Sequence, residues 1–310
     1  MPTITIGELG EFALIERLTA RLPQGPAVAL GPGDDAAVVA APDGRVVATS
    51  DLLVEGRHFR RDWSGPYDIG RKAAAQNLAD VAAMGARPTA LLLGLAVPPD
   101  TEVEWALRLA DGLREECAPL GASVAGGDVV RAPQVMLAIT ALGDLGGAPP
   151  LTRSGARPGD VVAVRGRLGF ASAGLGLLTE GADGPAELLD AHRRPRPPYE
   201  AGPEARRLGA TALVDVSDGL VQDLGHVAAA SGVRVELDSA SLPVPEALGP
   251  EGLRHVLTGG DDHAFAGTFP AGTALPPTWT VIGRVTAGGP AGVVVDGRPL
   301  TSGGWDHFRT

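Results

Sequence analysis

The chain has 310 residues, is 44% hydrophobic and carries a formal net charge of −11. That is enough apolar material for one large core or two smaller ones. The acidic balance excludes the basic face of a typical nucleic-acid binder. It leaves phosphorylated substrates open, because bound cations invert an acidic field. The single cysteine, Cys117, excludes a disulfide framework. No apolar stretch reaches the roughly 18 residues a membrane-spanning helix needs. Residues 1–22 read as an amphipathic helix rather than a signal peptide. The expectation is a cytoplasmic protein with no membrane partner.

Leu9, Phe12, Ile15, Leu18 and Leu22 recur at helical spacing and predict an amphipathic helix over 9–22. After the turn Gly31-Pro32-Gly33, short strands are predicted over 36–40 and 45–50. The Ala- and Leu-rich stretch 68–84 predicts a helix. The apolar run 90–97, between Pro88 and Pro98, predicts a buried strand. A helix over 101–117 follows, with Thr101 as N-cap and Glu104 completing a capping box. Strands are predicted over 123–125 and 135–142.

Residues 143–150, Gly-Asp-Leu-Gly-Gly-Ala-Pro-Pro, are dense in turn formers and mark the domain boundary. The domains are read as 1–146 and 147–310. Beyond the boundary, strands are predicted over 160–164, 212–216, 233–237, 263–269 and 279–285. Helices are predicted over 170–179 and 220–230, and 192–198 reads as a basic, proline-rich loop. Each half mixes strands and helices, and no short-period repeat is present.

Aspartates beside glycine or serine recur near predicted strand ends: Gly33-Asp34-Asp35, Thr49-Ser50-Asp51, Gly126-Gly127-Asp128, Asp215-Val216-Ser217-Asp218-Gly219 and Gly259-Gly260-Asp261-Asp262. Any one of these is ordinary turn or capping chemistry. Together they suit Mg²⁺, which takes hard oxygen ligands from carboxylates and substrate phosphates. Neighbouring glycines let backbone N–H groups approach a phosphate. Asp80 lies among Leu78, Ala79, Val81, Ala82, Ala83 and Met84. Such a carboxylate is either buried and paired or a ligand. Cys117 reads as structural, and His58, taken alone, as a loop residue. No Walker loop, protein-kinase set, nucleophile elbow or zinc spacing occurs.

Several stretches, in order, resemble the thiamine-monophosphate kinase family. They are Gly7-Glu8-Leu9-Gly10-Glu11-Phe12, Gly31-Pro32-Gly33-Asp34-Asp35-Ala36-Ala37, and Thr49-Ser50-Asp51-Leu52-Leu53-Val54-Glu55-Gly56-Arg57-His58-Phe59. Asn77-Leu78-Ala79-Asp80-Val81-Ala82-Ala83-Met84-Gly85-Ala86, Gly126-Gly127-Asp128 and Thr152-Arg153-Ser154-Gly155-Ala156 follow. Asp215-Val216-Ser217-Asp218-Gly219-Leu220 and Gly259-Gly260-Asp261-Asp262 complete the set.

The resemblance implies a two-domain AIR synthetase-like (PurM-like) architecture, with an N-terminal α/β domain and a C-terminal α+β domain. It also implies a homodimer formed through the N-terminal domains. The implied reaction is Mg²⁺-dependent transfer of the ATP γ-phosphoryl group to thiamine monophosphate. The implied metal ligands are Asp34, Thr49, Ser50, Asp51, Asp80, Asp128, Asp215 and Asp218. Gly127, Asp128, Arg153 and Ser217 are implied to touch ATP, and His58, Asp261 and Trp305 the thiamine phosphate.

Two departures stand out. Where the family often has Gly-Gly-Glu-Asp-Tyr-Glu-Leu, this chain has Gly259-Gly260-Asp261-Asp262-His263-Ala264-Phe265, so the Asp261 carboxylate reaches one methylene less far. A tyrosine often found before the Gly-Gly-Asp turn is replaced by an apolar residue near Leu120, leaving no assigned adenine-stacking residue. Because the acceptor is an ionised phosphate, no general base is expected, and transfer should be direct and in-line. The alternatives are another PurM-like ATP-dependent enzyme, such as an aminoimidazole ribonucleotide synthetase, or a non-catalytic nucleotide or thiamine-phosphate sensor.

Overall fold

The computed structural model describes residues 4–32, 36–300 and 304–305. The expected ligand Asp34 lies outside the described residues. The chain forms two compact units, Met1–Val81 with Ala86–Ala148, and Ala82–Gly85 with Pro149–Thr310. Among the described residues, no helix is long and apolar enough to cross a membrane.

The first unit begins with helices α1 (Ile6–Leu9) and α2 (Glu11–Thr19). The single helix expected over 9–22 is broken at Gly10, whose φ of +84° suits glycine. Thr5 and Glu8 form the capping box of α1, each side chain accepting the other's backbone N–H. Leu14, Leu18 and Leu22 are buried, but Phe12 is 84% exposed and is not a core residue. Strands β1 (Val28–Leu30) and β2 (Val38–Val39) pair as a small ribbon. The strand expected over 36–40 is therefore only two residues long.

Next come β3 (Val47–Val54), α3 (Pro66–Ala83), β4 (Arg87–Val97), α4 (Val103–Cys117), β5 (Ser123–Arg131) and β6 (Met136–Asp144). The four long strands form one sheet in the order β3-β6-β4-β5. Only β4 and β5 run parallel, joined by the crossover helix α4. One sheet face is packed, with Leu53, Leu91, Leu95, Leu137 and Ile139 at most 1% exposed. The alternate positions read differently: Ser50 is exposed, Leu52 is 54% exposed and Leu92 36% exposed.

Three expectations are corrected in this unit. β3 runs on to Val54 and β5 to Arg131. Asp51 and Gly127-Asp128 are therefore inside strands, where ladder pairing with β6 and β4 carries the chain past them. Thr101 does not cap α4: Glu102 holds the N-cap position with no side-chain bond. The Thr101 backbone is engaged elsewhere, its carbonyl accepting the Ile6 N–H and its N–H donating to Pro98.

The second unit contains β7 (Val161–Arg165), α5 (Phe170–Glu180), α6 (Ala186–Arg193), α7 (Ala201–Arg207), β8 (Ala212–Val216) and α8 (Leu220–Ser231). It continues through β9 (Arg234–Leu237), α9 (Gly252–Thr258), β10 (Ala264–Phe269), β11 (Thr280–Thr286), β12 (Gly292–Val295) and β13 (Arg298–Pro299). The strands form a seven-stranded sheet, β13-β12-β9-β11-β7-β10-β8. It is antiparallel except between β9 and β12. Val162, Val164, Val214, Val216, Leu224 and Ile282 lie at the centre of its core. β10 is buried along its whole length, with Phe269 edge-on to Trp279 at 5.1 Å. His192, expected in a loop, is buried on α6, because that helix forms from the apolar positions Leu188 and Ala191.

Candidate functional site

In the first unit, strand alternation decides which oxygens share a face. Thr49, Asp51 and Leu53 lie on the α3 side of β3, whereas Ser50 and Leu52 lie on the other. The Ser50 hydroxyl donates to the Ile139 carbonyl at 3.0 Å, so it does not join Thr49 and Asp51. On α3, Gln76, Asn77 and Asp80 fall at helical spacing on the face that meets β3. Thr49 Oγ1 donates to Asp80 Oδ2 at 2.8 Å. Gln76 Nε2 donates to Asp51 Oδ2 at 3.1 Å. The Asp51 N–H donates to Asn77 Oδ1 at 3.2 Å, and buried Asn77 turns its amide nitrogen to the Ala73 carbonyl.

The structure thus brings Thr49, Asp51 and Asp80 together, held by two amides of the same helix. Asp80 is neither in an apolar wrap nor fully buried. Its apolar sequence neighbours turn to other sides of α3. Gln76 was missed in the sequence reading, although it sits four residues before Asp80. His58 is tied to the end of the same strand, its Nδ1 accepting the Val54 N–H at 3.0 Å.

Gly127 and Asp128 lie on β5, at the opposite edge of the sheet. Asp51 pairs with Ile139, Ile139 with Leu93, and Leu93 with Gly127. The two ends of that row are three strand spacings apart, roughly 14 Å. A Cβ on Gly127 would stand 1.9 Å from the Leu93 carbonyl oxygen, so the close approach of β4 requires glycine there. Beside Gly127 and Asp128 opens an apolar cleft, lined by Leu18, Leu22, Leu95, Leu109 and Val124 among others.

In the second unit, the β8–α8 turn carries Ser217, Asp218 and Gly219. Asp223, in the first turn of α8, reaches back and accepts the N–H groups of Asp218 and Gly219, each at 3.0 Å. Burial, and then the charge of Asp215, push the Asp223 carboxyl up to about 7. The Gly260–His263 turn lies alongside. The Asp261 N–H donates to the Ser217 carbonyl and the His263 N–H to the Val216 carbonyl. A Cβ on Gly260 would stand 2.3 Å from the Ser217 oxygen.

Asp262 turns inward and accepts the N–H groups of Gly169 and Ala171 at the start of α5. Burial raises its carboxyl to about 7. Asp215, on β8, is buried and lies 3.1 Å from His263 Nδ1. The Trp305 N–H donates to the Asp218 carbonyl.

Ser217, Asp218, Asp261 and Trp305 therefore meet at one turn. Arg153 does not meet them through its backbone. Its carbonyl accepts from Ser231 at the far end of α8, roughly 16 Å along the helix axis. Asp223, Asp262 and His263 were missed as neighbours of this turn. Asp223 had a readable signal, an aspartate in the first turn after Ser-Asp-Gly.

Among the described residues, no group of three or more His, Cys, Asp or Glu side chains is gathered as a ready metal cage. The donor chemistry still fits magnesium. Asp51, Asp80 and Thr49 offer hard oxygens only, and Mg²⁺ is ordinarily held by one or two carboxylates, with phosphates and waters completing the octahedron.

Two family models match the chain: AIR synthase related protein, N-terminal domain, over residues 33–145, and AIR synthase related protein, C-terminal domain, over 157–296. The thiamine-monophosphate kinase of Mycobacterium tuberculosis is 48% identical over 98% of this chain and 93% of its own length. The solved thiamine-monophosphate kinase of Stenotrophomonas maltophilia K279a is 37% identical, with a TM-score of 0.83 over 94% of this chain and 98% of that one. A solved complex of AaThiL with AMPPCP and TMP is 33% identical, with a TM-score of 0.80 over 99% of this chain and 100% of that one.

Proposed function

The chain belongs to the thiamine-monophosphate kinase family of AIR synthase related proteins, and from that premise we propose that it phosphorylates thiamine monophosphate with ATP, giving thiamine diphosphate and ADP. The observation that carries this reading is similarity along nearly the whole chain to enzymes bearing that name, one relative having been solved with AMPPCP and TMP.

The finer reading follows the geometry of each unit. Asp51, Asp80 and Thr49 in the first unit, and Asp215 and Asp218 in the second, are the proposed magnesium ligands. Asp128, which the row Leu52–Ala138–Gly94–Asp128 sets on the Ser50 face at the far edge of the sheet, is not brought to Asp51 and Asp80. Bound Mg²⁺ would neutralise the charge of the two phosphate groups that must meet. Gln76 and Asn77 fix Asp51, and Thr49 fixes Asp80, so both carboxylates are oriented before any ligand arrives. The apolar cleft beside Gly127 would lodge the nucleobase. At the β8–α8 turn the Ser217 hydroxyl would donate to a phosphate oxygen, the Asp218 and Gly219 N–H groups being taken by Asp223. Asp261, Trp305 and His58 would face the thiamine phosphate.

In the reaction, an ionised oxygen of the acceptor phosphate forms a bond to the γ-phosphorus as the bond to the ADP oxygen breaks. The nucleophile is already deprotonated near neutral pH, so no protein base is needed. The test is turnover with ATP, Mg²⁺ and thiamine monophosphate, followed by a search for label on the protein from γ-labelled ATP. Thiamine diphosphate without labelled protein is expected. No thiamine diphosphate removes the reading, and a phosphoenzyme removes the direct transfer.

We also assign a homodimer, and a cytoplasmic setting in keeping with ATP as donor. The open face of the first unit's sheet supports the dimer. Leu52, Leu92 and Val130 there are exposed, and most neighbours on that face are small or apolar. Faces of this kind mark association surfaces. Leu52→Arg should convert a dimer to a monomer by light scattering while leaving the far-UV CD unchanged. A wild type that is already monomeric would refute the assignment.

A further inference from the structure

One buried histidine has no role in the reaction as described. His263 is 4% exposed and its partner Asp215 is 3% exposed, with Nδ1 and Oδ2 3.1 Å apart. An ionised carboxylate can only accept a hydrogen bond, so Nδ1 carries the hydrogen. Asp215 pairs across the sheet with Phe265. His263 precedes Phe265 by two residues and so reaches the same face diagonally.

The backbone there is unusual. Asp261 and His263 have φ of +65° and +50°, a left-handed conformation that few non-glycine residues adopt. Such conformations persist where the surroundings impose them, and they cluster at functional sites. Here three anchors impose it. Asp261 and His263 donate to the carbonyls of Ser217 and Val216, and Asp262, between them, holds the start of α5. These anchors fix the backbone that presents the imidazole to Asp215.

We propose that His263 is a positioning residue. Its Nδ1–H fixes the Asp215 carboxylate in one orientation, leaving the second oxygen set toward a bound divalent cation. This rests on the reading of Asp215 as a magnesium ligand. Hydrogen-bond partners of metal-ligating carboxylates typically change metal affinity or activity by 10–100-fold when removed.

The test compares wild type with His263→Gly, His263→Asn and His263→Gln. Glycine and asparagine both tolerate the left-handed backbone. Asparagine places its amide nitrogen near the position of Nδ1, whereas glutamine places it near Nε2. The readout is Mn²⁺ binding in the presence of AMPPCP, followed by electron paramagnetic resonance without turnover, alongside kcat and KM.

His263→Gly and His263→Gln should bind Mn²⁺ roughly 10–100-fold more weakly, with kcat reduced at sub-saturating metal and KM for thiamine monophosphate little changed. His263→Asn should recover most of the affinity. Should the glycine variant fail to fold, the asparagine–glutamine contrast decides. Equal metal affinity in all folded variants, with only their melting temperatures lowered, would overturn the proposal in favour of a structural pair. A wild type that forms no thiamine diphosphate would instead remove the functional reading beneath it. An active wild type whose variants bind metal normally removes only this inference.

Discussion

Asp51 and Asp80, on the β3–α3 face, take hydrogen bonds from the side chains of Gln76 and Thr49 and remain partly exposed. In the second unit, Asp223 and Asp262 are buried and take their bonds from backbone amides of two helix starts. Neutral side chains can turn aside for a cation at little cost, whereas backbone amides cannot move without unwinding a helix. One residue type thus serves two purposes. The first pair is available to ligands, and the second is committed to the scaffold. Asp215 stands between these cases, buried like the second pair but bonded to a side chain like the first.

The largest effect should come from Asp80→Asn. The amide oxygen can still accept from Thr49, so the fold should hold and the melting temperature should stay within a few degrees. Activity should fall by at least about 100-fold, since a metal-held charge is worth several kcal/mol in phosphoryl transfer. Steady-state assay and calorimetry on the same sample check this. A collapsed melting temperature would place Asp80 with the scaffold aspartates and erase the comparison.

The converse variant is Asp262→Ala. It leaves two buried N–H groups at the start of α5 without an acceptor, at a cost of about 2–3 kcal/mol. Thermal unfolding should show it as a drop of several degrees, before any effect on metal binding is considered. Its pH dependence has a definite sign. Burial raises the Asp262 carboxyl to about 7, so between the ordinary aspartate range and pH 7 the folded chain holds a proton that the unfolded chain has released. Stability from this group therefore rises as pH falls through 7 toward 4, and is flat above it. Wild type should gain stability relative to Asp262→Asn between pH 8 and pH 5. A difference independent of pH would show that the carboxyl is not raised.

Much of this was legible from the residues, but not the sorting. The helix 66–83 and the strands 87–97, 136–144 and 212–216 follow from long periodic or apolar runs, where pattern and packing agree. α6, α7 and α9 were not read, because each has eight residues or fewer and stands among prolines and glycines. Gly-Asp and Ser-Asp read as turns, yet Asp51 and Asp128 sit within strands. Turn propensity is a local quantity, and here sheet pairing overrides it. Nor could sequence spacing show that Asp262, rather than its neighbour Asp261, turns inward. That depends on the left-handed backbone at 261 and 263 and on α5, some 90 residues earlier in the chain.

The smallest effect concerns a polar group with no counterpart in either set. Thr101 reads as the N-cap of α4, yet its γ-hydroxyl is buried and finds no hydrogen-bond partner among the described residues. Its backbone is engaged instead, linking the loop before α4 to α1. A buried hydroxyl without a partner is a net cost, and valine replaces it with a methyl group of nearly the same shape. Thr101→Val should therefore raise stability by up to about 1 kcal/mol with kinetics unchanged, whereas loss of a working cap would lower stability by a similar amount. Denaturant unfolding distinguishes the two by sign alone. A destabilised variant would mean that the hydroxyl caps or bonds in solution after all, joining the Thr5 hydroxyl of α1 among the threonines that hold helix starts.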